Sequence, residues 1–129
     1  MTLGGGDSID KQCRISGISW WKQEKITPAN IKEAELELSR HDNTVDYILT
    51  HACPHKLLKY CFPNTHNKFP DPSGRQLNKL LKIANFKHWY FAHLHINTIS
   101  EIFDSYFPHD KFTGLFEDII ELRRGVSNV

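Results

Sequence analysis

Two short runs rich in aromatic and β-branched residues, Val45-Asp46-Tyr47-Ile48-Leu49-Thr50 and His88-Trp89-Tyr90-Phe91-Ala92, constrain this chain more than any other feature. Each has the make-up of a largely buried strand, and each follows a stretch of helical periodicity. Ahead of the first, Thr27-Pro28 offers a capping hydroxyl and a proline suited to a first turn. Ile31, Ala34 and Leu38 then recur at i, i+3 and i+7, with Lys32, Glu33, Glu35 and Glu37 on the other faces. Ahead of the second, Leu77, Leu80, Leu81 and Ala84 keep the same spacing and Arg75, Lys79 and Lys82 face outward. Thr2-Leu3 running into Gly4-Gly5-Gly6 reads as a strand ending in a turn. Most of Cys61 to Gly74, with Pro63, Pro70 and Pro72, reads as loop, and the tail from Phe112 to Leu122 as one or two further strands. The order strand, helix, strand, helix, strand, strands predicts an α/β layered domain with at least one sheet covered by helices.

Composition removes several function classes. With 129 residues, 40% of them hydrophobic, the chain has material for one domain at most. Sixteen Lys plus Arg against fifteen Asp plus Glu leave a formal charge of +1, so nucleic acid is not indicated as a partner. The most apolar uncharged stretch, Tyr47 to Pro54, falls far short of the roughly 18 residues a membrane helix needs. The first ten residues carry neither the basic start nor the apolar core of an export signal, which points to the cytoplasm. Cys13, Cys53 and Cys61 form no CxxC pair, and their odd number argues for reduced thiols.

Histidine is abundant, eight residues, and three of them are grouped. The first predicted strand delivers His51, and the second delivers His93 and His95, at the strand ends where open α/β sheets place their sites. In extended backbone, residues i and i+2 face one side, so His93 and His95 are expected to present both imidazoles to one place. Neutral imidazole suits Zn, Fe, Mn or Ni, and three such groups can hold one ion with a position open for water. A His pair at this spacing is more often a surface pair or a satisfied core pair than a metal site, and the spacing alone leaves that open.

Thr50-His51-Ala52-Cys53-Pro54 resembles the THxxP motif of the calcineurin-like metallophosphoesterases, and Ala92-His93-Leu94-His95 resembles their GHxH motif, in the family's order. The stretch from Gly4 through Arg14 to Trp20-Trp21-Lys22-Gln23-Glu24 is similar to the region between the family's GNH[DE] motif and its THxxP histidine. The resemblance implies an α/β fold, the C-terminal half of a layered β-sandwich flanked by helices. It implies a site of two divalent metal ions (Mn, Fe, Zn or Ni), with His51 and His93 on one ion and His95 on the other. The reaction implied is hydrolysis of phosphate esters by an activated water.

The family's DxH and GNH[DE] motifs are not found. Gly6-Asp7-Ser8-Ile9-Asp10 spells GDxxD, but no GNH[DE] follows it, and it is read as a chance match. The expectation is therefore a single partial domain over residues 1–129, lacking the bridging carboxylate and the acid/base histidine and inactive alone. A missing N-terminal segment or another chain would supply them. Competing expectations are a non-catalytic remnant binding at most one metal and a complete mononuclear zinc hydrolase. Ala92 stands where the motif has glycine, and strain is expected there if the turn needs a positive φ.

Other residues receive plainer readings. Trp20 and Trp21 are read as core or loop anchors, and Cys53, two residues after His51, as a thiol for which the sequence establishes no base within hydrogen-bond reach. His55 and His66 are placed in a loop able to approach substrate. His41, His88 and His109 are read as solvated surface. Asp46 either orients a ligand from behind or points outward.

Overall fold

The computed structural model describes residues 1–7, 11–68, 70–97 and 111–123. Four strands, β1 (Thr2–Leu3), β2 (Thr44–Thr50), β3 (Asn85–Phe91) and β4 (Phe112–Gly114), form one sheet in the order β1-β2-β3-β4, every neighbouring pair parallel. Helices α1 (Pro28–Ser39), α2 (His55–Cys61) and α3 (Pro72–Ile83) lie between them in sequence. Parallel neighbours require long crossovers, which helices provide. The expected α/β class is what the chain adopts. Among the described residues no helix is long and apolar enough to cross a membrane.

α1 starts where the sequence marks it. The Thr27 hydroxyl accepts the Asn30 N–H at 3.2 Å, and Asn30 Oδ1 accepts the Thr27 N–H at 2.9 Å, a reciprocal cap. Ile31, Ala34 and Leu38 are buried on one stripe. α3 begins earlier than the helical periodicity suggested. Pro72, read as loop, is its first residue, and Asp71 caps it by accepting the Gly74 N–H at 3.0 Å. α2 was not expected. Its seven residues bury only Leu57 fully, too short a run to show a period.

Burial in β2 and β3 alternates. Ile48 and Thr50, and Trp89 and Phe91, are buried, and Ile48, Trp89 and Phe91 form one core with Phe112 of β4, Ile31 and Leu38 of α1, Leu57 of α2 and Leu77 and Leu80 of α3. The opposite phase, Tyr47, Leu49, His88 and Tyr90, is half-buried, with the Tyr47 and Tyr90 rings 6.2 Å apart and those of His88 and Tyr90 4.3 Å apart. The described residues thus make a two-layer arrangement with one sheet face under helices.

The tail supplies one of the one or two strands expected, β4. Only Phe112–Gly114 pairs with β3, and residues 115–123 carry no regular structure. Ile119 is 99% exposed. These apolar residues match a strand in type, but beyond the Leu115 N–H, which donates to the Phe91 carbonyl at 2.8 Å, no ladder continues among the described residues.

The register fixes where loops emerge. Leu3 pairs with Thr50 and Leu49 with Tyr90, so β1, β2 and β3 end together. Gly4–Asp7, His51–Pro54 and Ala92–His95 consequently leave from one edge, the carboxyl edge where α/β sheets place ligands.

Candidate metal centre

His51 follows β2 directly, and its turn is locked from below. The buried Thr50 hydroxyl accepts the Trp89 indole N–H at 2.9 Å and donates to the Ala52 carbonyl at 2.7 Å. The Ala92 N–H donates to the His51 carbonyl at 3.0 Å, which ties the ends of β2 and β3 together. His51 and His93 meet across this tie. His93 Nδ1 lies 3.1 Å from His51 Nε2, with the rings edge to face at 4.9 Å between centroids.

The other nitrogen of His93 decides the protons. Nε2 is 2.8 Å from the main-chain oxygen of Asp7, which can only accept, so Nε2 carries the hydrogen. A neutral His93 then has its lone pair on Nδ1, facing His51 Nε2, which donates to it. His51 is held neutral. Burial lowers its pKa below the ordinary histidine value, and the neighbouring imidazoles of His93 and His95 lower it further.

His95 does not join the pair. β3 ends at Phe91, and His93 and His95 have φ of +67° and +54°, so the alternation of an extended chain no longer applies. Histidine is among the side chains that enter the left-handed region more readily than most. The His95 ring stacks instead on Phe116, 5.1 Å between centroids and 18° between planes. Among the described residues, no three His, Cys, Asp or Glu side chains gather closely enough to hold a metal. Ala92 has no positive φ, and the strain expected there falls on the two histidines that follow it.

Sequence reasoning set Asp7 aside, and it proves to be part of the site. Its Oδ2 accepts the Ser73 N–H at 2.7 Å in the first turn of α3, while its Oδ1 is buried with no partner among the described residues. Gly6, just before it, backs both imidazoles, its Cβ position 3.4 Å from His51 Cδ2 and 3.7 Å from His93 Cε1. The sequence signals were the glycine run, which marks a loop able to pass close to other groups, and the GDxxD spelling of Gly6–Asp10, which reads as a chance match in the sequence alone. Asp7, His51, His93, His95, Arg14 and Lys25 line one cavity of about 990 Å3. Arg14 also donates to the Ser19 carbonyl at 3.0 Å.

The remaining candidates sort cleanly. His66 lines this cavity, its Nδ1 near the Phe62 and Pro63 carbonyls at 3.2 and 3.1 Å. His55 does not line it; it is paired with Asp71 at 2.9 Å at the start of α2. His88, read as surface, is half-buried on the sheet, 2.7 Å from the Thr113 hydroxyl. His41 is exposed beside Glu37, and His109 lies outside the described residues. Asp46 is exposed and paired with Lys87 at 2.5 Å, which lifts the Lys87 pKa through that hydrogen bond and charge. Trp20 is half-buried and Trp21 is 47% exposed, so Trp21 is no core anchor. Cys53 is buried and donates to the Pro54 carbonyl at 3.3 Å. Burial pushes its thiol well above the ordinary range and pushes Cys61 to about 11, so neither supplies a thiolate at neutral pH.

Chemically, the pair is spaced as two ligands of one divalent ion would be, although its His51 N–H now points at the His93 lone pair rather than both lone pairs at a common point. Two cis nitrogens bound at about 2.1 Å stand about 3.0 to 3.4 Å apart, and His51 and His93 already have this separation. His93 is in the ligating tautomer, whereas His51 must carry its proton on Nδ1 to serve. Comparison with family models, curated proteins and solved structures returned no match to this chain.

Proposed function

We propose that this chain contributes part of a metal-dependent phosphoesterase site, in which His51 and His93 hold a divalent cation beside the bound phosphate ester. The observation that carries the reading is the pair of ring nitrogens 3.1 Å apart at the ends of adjacent parallel strands. The likeness of Thr50–Pro54 and Ala92–His95 to the metallophosphoesterase motifs supports it. Such a cation offsets phosphoryl charge and acidifies a water.

The chain's own residues do the rest. Thr50 and the Ala92 N–H fix the two turns, so what a ligand requires is a tautomer change at His51 and loss of the His51–His93 hydrogen bond, not a rearrangement of the backbone. Asp7 holds His93 with Nδ1 as its lone-pair nitrogen. Arg14 and Lys25, on the same cavity, attract an anionic ester. The resemblance gives His95 to a second ion, a role that requires its ring to leave Phe116. A carboxylate-bearing segment, from a longer chain or another one, would complete the dinuclear site.

Elemental analysis of the protein after equilibration with Mn, Fe, Zn or Ni tests the reading. The expected result is close to one ion per chain, lost in His51→Ala and in His93→Ala. A folded protein with no bound ion overturns it. A second reading, a cation-binding chain without hydrolysis, is favoured by the absence of a third gathered protein donor among the described residues. Phosphate release from p-nitrophenyl phosphate by the metal-loaded chain separates the two.

A further inference from the structure

We infer that Asp7 is a positioning residue for His93, selecting its tautomer through a carboxylate anchored on helix α3. Three contacts make the chain of action. Asp7 Oδ2 accepts the Ser73 N–H at 2.7 Å. Ser73 is in turn fixed, its side-chain oxygen accepting the Ile26 N–H at 3.0 Å. The Asp7 main-chain oxygen then receives His93 Nε2–H at 2.8 Å.

A free loop carbonyl would leave His93 to exchange between its two neutral tautomers, only one of which has a lone pair on Nδ1. The anchor removes that choice. The first turn of a helix is a favourable place for a carboxylate, because its N–H groups lack intrahelical partners and the helix dipole is positive there. Asp7 Oδ1 is nevertheless buried without a donor among the described residues, and an unpaired buried acceptor is costly. That cost falls at a loop residue that touches both α3 and His93. Groups that orient a ligating imidazole through its other nitrogen typically change metal affinity about 10- to 100-fold when removed.

The affinity consequence rests on the cation reading above; the tautomer does not. Long-range 1H–15N NMR on the metal-free protein reads the proton position of His93 directly. In the native chain His93 is expected to be the Nε2–H form, and an Nδ1–H form overturns the inference whatever the variants do. Asp7→Ala is expected to give a mixture of tautomers and to weaken Zn2+ binding about 10- to 100-fold. Asp7→Asn, which keeps an acceptor for the Ser73 N–H, is expected to retain the single tautomer and guards against a folding failure in Asp7→Ala. A folded Asp7→Ala with His93 still wholly Nε2–H overturns the inference. If native protein binds no Zn2+ but the tautomer responds as stated, the positioning role stands and the cation reading falls.

Discussion

Thr50 has a buried hydroxyl that serves two partners at once, the Trp89 indole and the Ala52 carbonyl, directly below His51. Thr50→Val keeps the shape and strands both partners, so it should cost about 1–3 kcal/mol per buried group left unpaired; a lowered urea midpoint in Thr50→Val, restored in Thr50→Ser, is the expected result. His51 gives a pH dependence of known sign. Burial and the neighbouring imidazoles hold its pKa below 6.5, so the unfolded chain protonates first as pH falls. The stability it contributes is complete above about pH 6.5 and is lost as the pH drops through that value toward the lowered folded pKa. Unfolding free energy followed from pH 7.5 to 5 should fall more steeply in the native chain than in His51→Gln. At this scale the sequence displayed His51 and His93, because each follows a recognisable strand. It did not display the fate of His95, because the chain leaves extended geometry one residue after β3, nor the role of Asp7, whose contacts come from distant parts of the chain.

Among elements, the loop after β1 is held by a close approach. Gly5 has φ +111°, and a Cβ there would come within 2.6 Å of the Glu24 carbonyl oxygen. Gly5→Ala should therefore destabilise by more than about 1 kcal/mol, whereas Gly4→Ala, with open space around it, should be close to neutral; thermal melts of the two variants compare them. α1 is the element most plainly written in the chain, since its cap, its N1 proline and its apolar stripe agree, and Thr27→Ala should cost about 1 kcal/mol. α2 was invisible for the opposite reason. It is held by tertiary contact through Leu57 and by the turn at Pro54, neither of which leaves a periodic trace. β4 shows the same limit from the strand side: pairing stops at Gly114, and the apolar residues beyond it match a strand in type alone.

For the molecule as a whole, the parallel register accounts for both what was legible and what was not. Strands that must cross over through helices announce an α/β layout from their alternation, but which loop residues meet at the shared edge is decided only when the sheet closes. His51 and His93 are 42 residues apart and Asp7 is 86 from His93, so the site is made wholly of distant contacts. Contacts of such long range form late and slowly, after the entropy of closing large loops has been overcome. A cation that needs both imidazoles thus finds no partial foothold on a half-folded chain. In a stopped-flow refolding experiment with Zn2+ and a fluorescent indicator, uptake should keep step with the burial of Trp89 rather than precede it, and the ion should act as a clock for the last pairing of β2 with β3.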